Sequence, residues 1–103
     1  MQINYDQFRK MQWNERVTLF NEVSNEEKAE LVRTHIDRWL ESHRGELSPL
    51  QISAVEQCRD FIKPELYGAV KDSADLERFK EIEQRAAAVL TRDQMREALT
   101  MHW

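Results

Sequence analysis

The chain has 103 residues, a formal net charge of −4, one cysteine, and only two Gly and two Pro. The length fits one domain spanning residues 1–103. The acidic balance excludes the long basic stripe on which nucleic-acid affinity rests, and a lone cysteine excludes an intrachain disulfide.

Hydrophobic residues make up 41% against 33% charged, with three Trp and four Phe. That is enough apolar material, regularly spaced, for a core rather than a disordered chain. Met1 to Asp6 carry no basic stretch followed by an apolar run, so no signal peptide is read there. No apolar run approaches the ~18 residues a membrane span needs. The expectation is a cytoplasmic protein.

The Gly and Pro residues fall at joints between runs of helical periodicity, which predicts an all-α fold. Asn4 opens a short helix with Tyr5, Phe8 and Met11 on one side. Asn14 is the expected N-cap of a second, carrying Val17, Phe20 and Val23 and ending at Ser24. Ser24-Asn25-Glu26-Glu27 reads as a capping box opening a long helix to Arg44. Gly45 is placed as the left-handed residue that helix ends favour, and His43 and Arg44 complement the helix dipole.

Ser48-Pro49-Leu50-Gln51 is a second box, with Pro at the first helical position where its missing N–H costs nothing. The short link makes the helices on either side an antiparallel hairpin. Pro64 ends the second of them near Ile62. Pro64 to Tyr67 form a brief turn closed by Gly68. Asp72 or Ser73 caps a helix over about Ala74–Leu90, and Thr91-Arg92-Asp93-Gln94 starts a last one to about His102. The sum is a compact bundle of five or six helices.

Wheel placement at about 100° per residue sorts the faces. In the Asn25–Arg44 helix, Ala29, Val32, Ile36, Trp39, Leu40 and His43 form the core arc. Glu26, Glu30, Asp37 and Glu41 form an acidic stripe. Leu31, His35 and Trp39 form a third row, read either as a wide buried arc or as a partner-binding edge beside the stripe. Cys58 shares an arc with Val55, Phe61 and Ile62 and reads as a small core residue. Glu83 falls inside the apolar arc of Leu76, Phe79, Ile82 and Ala86, and is expected to reach out to water. Met95, Ala98, Leu99, Met101, His102 and Trp103 are expected to pack the C-terminus on the bundle.

No catalytic or cofactor signature emerges. There is no Glu-x-x-His pair for a di-iron bundle, no zinc motif, and no Gly-rich phosphate loop. His35 and His43 stand about two helical turns apart, too far for one metal ion without a bend. Neither a metal nor a cofactor is expected, and the chain is not read as an enzyme.

Leu19-Phe20, the run Ser24 to Leu31, Leu47 to Gln51 and Phe61 to Tyr67 resemble the small helical proteins described as bacteriocin fulvocin C-related. The likeness spans about Trp13 to Tyr67, and faintly Ala88 to Leu99. It implies a small bacterial protein in the orbit of toxins and immunity factors.

The reading is a protein-binding module, an immunity-type inhibitor that occludes a basic toxin or effector. Glu26, Glu30, Asp37 and Glu41 would steer and pair; Leu31, His35 and Trp39 would supply apolar contact. A homodimer is a further possibility. The alternative is a DNA-associated regulator using the C-terminal helices through Arg92 and Arg96.

Overall fold

The structure, a computed structural model, describes residues 4–68 and 73–99. Among the described residues the chain forms six α-helices and no strand: α1 Tyr5–Lys10, α2 Trp13–Glu22, α3 Asn25–His43, α4 Pro49–Phe61, α5 Ser73–Ala87 and α6 Arg92–Leu99. Two 3-10 turns, Arg44–Glu46 and Pro64–Tyr67, complete it. The all-α bundle expected from the sequence is what forms. No described helix is long and apolar enough to cross a membrane.

The helix starts follow their side chains. Ser48 Oγ accepts the Gln51 N–H at 3.2 Å while Gln51 Oε1 accepts the Ser48 N–H at 2.9 Å, so two orphan donors are satisfied reciprocally. The same Gln51 amide donates from Nε2 to the Val89 carbonyl at 2.9 Å, tying the α5–α6 connection to the start of α4. Thr91 and Gln94 repeat the reciprocal pattern at 3.1 and 2.9 Å. At Ser24 only half of the box closes. Its Oγ accepts the Glu27 N–H at 3.2 Å, but the Glu27 carboxylate lies 3.4 Å from the Ser24 hydroxyl instead of reaching the Ser24 N–H.

Three local expectations are corrected. First, α2 begins at Trp13, so Asn14 lies inside the first turn and its Oδ1 accepts the neighbouring Glu15 N–H at 3.0 Å. Second, Gly45 is not left-handed: no described residue has positive φ. The end of α3 tightens into the right-handed 3-10 turn Arg44–Glu46. Third, α5 stops at Ala87, where the Val89 and Leu90 amides both converge on the Ala86 carbonyl. Asp72 as a cap, and Met101, His102 and Trp103 as packed residues, lie outside the described residues.

Two cores share α3. The larger joins Ile36 and Leu40 of α3, Val55 and Cys58 of α4, Ile82 and Ala86 of α5, and Ala98 of α6. Phe61 and Phe79 stack at its edge, 5.8 Å between centroids. The smaller consists of Phe8 of α1, Phe20 of α2 and Leu31 of α3. Val32 and Tyr67 pack against both and form the seam. The Phe20 ring meets Tyr67 edge-on at 6.0 Å, and burial pushes the Tyr67 phenol up to about 12 against the field of Arg33. Each aliphatic or aromatic side chain so buried contributes about 1.5–3 kcal/mol before chain entropy is set against it.

Candidate functional site

α3 is buried over about half its circumference, because α1 covers one flank, α6 another, and α4 with the Pro64–Tyr67 turn the rest. This places the seven residues expected to bind a partner. Leu31, His35 and Trp39 are 3%, 5% and 6% exposed. They are not an apolar edge offered to a partner; the wide buried arc is what forms. The reason is tertiary: a wheel gives a residue's direction, but not which neighbouring helix lies over it. Glu26, Glu30, Asp37 and Glu41 are exposed. Asp37 is engaged, accepting from Arg59 Nη1 of α4 at 2.8 Å. Glu26, Glu30 and Glu41 make no ion pair among the described residues.

The buried row does specific work. His35 Nε2 donates to the Glu97 carbonyl of α6 at 2.7 Å, which fixes the tautomer and leaves Nδ1 to accept from the Tyr5 hydroxyl of α1, also at 2.7 Å. One neutral imidazole thus links three helices. Burial holds its pKa below the usual 6.5, with Arg9 adding to the effect and the Glu97 hydrogen bond opposing it. Burial likewise raises the Tyr5 phenol, against Arg9 and Arg38. Trp39 Nε1 donates to the Glu97 carboxylate at 3.3 Å, so α6 is held by backbone and side chain at one residue.

α1 lies against α3 so that two hollows open along their junction. The first, about 310 Å3, is lined by Asn4, Asp6, Glu27, Glu30, Thr34 and Arg38, with Tyr5 and Leu31 as its apolar floor. The second, about 980 Å3 and more open, is lined by Arg9, Lys10, Arg38, Glu41, Ser42 and His43, with Tyr5, His35 and Trp39 beneath and Asp6 at the divide. Arg38 and Asp6 border both, 3.4 Å apart. Both side chains are more than half exposed, so the pair contributes little to stability. The junction is therefore bipolar: carboxylates gather in one hollow, cations and imidazoles in the other.

Five of the seven expected residues line these hollows: Glu30, Leu31, His35, Trp39 and Glu41. Glu26 and Asp37 do not. The sequence reading missed Tyr5, Asp6, Arg9, Lys10 and Arg38. Their only signal was the short Asn4 helix with its adjacent Arg9-Lys10 pair; nothing local says that this helix docks on α3.

Elsewhere the chemistry is quiet. Cys58 is buried, its Sγ 3.9 Å from the Ile82 carbonyl oxygen, and burial with the nearby Glu83 charge pushes the thiol up to about 11. It is a packing residue with a suppressed thiolate. Glu83 is half-buried, and that burial raises its carboxyl. Arg92 and Arg96 are exposed on α6, with Arg96 3.4 Å from Asp93. Among the described residues no group of three His, Cys, Asp or Glu side chains converges to hold a metal ion.

Set against known protein families, curated proteins and solved structures, the chain matches none of them.

Proposed function

We propose that this chain is a cytoplasmic protein-binding module of the immunity type, which occludes a basic bacterial toxin or effector with the acidic side of α3. The observation that carries the reading is the set Glu26, Glu30 and Glu41: exposed, on one side of the central helix, and without an ion pair among the described residues. Glu30 continues into the smaller hollow, where Asp6 and Glu27 add carboxylates above a floor of Tyr5 and Leu31. A lysine or arginine stem fits against such a floor while its charged head meets the carboxylates. Asp37 already pairs with Arg59 of α4, so the reading rests on the other three carboxylates. The resemblance to fulvocin C-related proteins points to the same biological setting.

A field of this kind accelerates encounter and selects partners more than it adds affinity. Affinity capture from the native host tests it, using wild type beside a variant with Glu26→Lys, Glu30→Lys and Glu41→Lys. The expected result is a basic protein retained by wild type in low salt and lost from the variant. Association should slow as ionic strength rises past the point where the Debye length is about 8 Å. Identical retention by both proteins, or a salt-independent on-rate, overturns the reading.

A further inference from the structure

We propose that the larger α1–α3 hollow is a binding site for a small-molecule oxyanion, specifically a phosphate monoester carried on a planar organic body. The protein is acidic overall, at −4, yet this hollow gathers Arg9, Lys10, Arg38 and His43. Of the two carboxylates on its border, Asp6 already faces Arg38. Arg9 and Lys10 are exposed and make no ion pair among the described residues. The Arg9 charge is felt at two floor groups, since it opposes the raised Tyr5 phenol and depresses His35. Arg9 lines the same hollow as both of these groups. Both floor groups are neutral and committed to each other, so neither compensates the cation. An anion above them does.

The walls define the rest of the ligand. The Trp39 and His43 rings stack at 4.5 Å with 21° between their planes, giving the hollow a flat aromatic side. His43 Nδ1 donates to the Trp39 carbonyl at 2.8 Å, which fixes that ring and leaves Nε2 without a hydrogen bond among the described residues. Guanidinium forks match phosphate oxygens bidentately, and aromatic surfaces favour planar bodies. A volume of about 980 Å3 falls in the range of roughly 300–1,000 Å3 that small-molecule sites occupy. Glu41 borders this hollow and also belongs to the acidic surface, so the two readings are separated by the Arg9 and Lys10 substitutions, which leave every carboxylate in place.

The test is a titration of the full chain with adenosine 5′-monophosphate, inorganic phosphate and adenosine, followed by backbone amide shifts and calorimetry. The monophosphate is expected to bind saturably, with shifts centred on Arg9, Lys10, Ser42 and His43. Inorganic phosphate should reach the same residues more weakly, and sulfate should displace the monophosphate from wild type. Arg9→Ala with Lys10→Ala should weaken binding by about tenfold or more, as expected for lost charge-assisted contacts. Lys80→Ala, an exposed change on α5, should leave it unchanged. Adenosine binding as tightly as its monophosphate would overturn the proposal, as would shifts scattered over unrelated basic residues. So would an affinity that ignores the Arg9 and Lys10 substitutions, or no saturable binding by either phosphate probe.

Discussion

The α3–α6 bundle and the α1–α2 layer are built by different means. In the bundle, α4 and α6 start on reciprocal side-chain boxes, and buried residues from four helices close one continuous core. In the layer, three buried side chains suffice: Phe8, Phe20 and Leu31. α2 starts on Gln12 with no side-chain cap and buries only Phe20. What fixes α1 is partly polar, through the Tyr5 hydroxyl on His35 and Asp6 beside Arg38. The lesson is that the bundle holds the fold while the layer shapes the junction: both hollows open where α1 meets α3, not within the bundle.

The largest effect should come from emptying the main core. Ile36 is fully buried in it, so Ile36→Ala should cost about 2–5 kcal/mol of global stability in chemical denaturation followed by helical circular dichroism. Phe8→Ala removes a ring of comparable burial from the small core. It should abolish amide protection in α1 while leaving most of the bundle's protection intact. Equal loss of protection throughout would show that the two regions unfold as one.

The next effect runs through His35. Its folded pKa lies below the unfolded 6.5, so the unfolded chain takes up the proton first as the medium is acidified. The stabilisation is fully present above pH 6.5 and is lost as pH falls through the folded value. Glu83 acts with the opposite sign. Its carboxyl is raised, so its contribution is full below the unfolded carboxylate range and is lost as pH rises through its folded value. Tyr5→Phe removes the donor to Nδ1 and should cost about 1 kcal/mol, seen as faster amide exchange in α1. The ring-proton titration of His35 should have its midpoint below 6.5; a midpoint above it would contradict the buried neutral ring.

Smaller effects probe the helix ends. Ser48→Ala should lose about 1 kcal/mol in denaturation, because a complete box is broken. Ser24→Ala should lose less, since only one of its two reciprocal bonds exists. Gly45→Ala should be stabilising by about 0.4–1 kcal/mol. An added methyl group there meets nothing within 4 Å, and the backbone is not left-handed.

The bundle was more legible in sequence than the junction, and the residues show why. Ser48, Pro49 and Gln51 carry their instruction within four positions, and α4 starts where they place it. The burial of Ile36, Val55 and Cys58 follows from periodicity alone. His35 lay outside the core arc and Trp39 was shared between that arc and the third row, and only α1 and α6 arriving from far along the chain decide their surroundings. Gly45 misled because glycine permits a left-handed turn without requiring one. The Ala86–Leu90 segment is apolar enough to continue α5, yet its amides gather on a single carbonyl and the chain turns away.

Cys58 gives the molecule an internal clock. With no second thiol and a sulfur sealed between α4 and α5, any reagent that requires a thiolate must wait for those helices to separate. When capture outpaces reclosing, the rate at which the sulfur is labelled counts how often the heart of the bundle breathes, recorded by one atom.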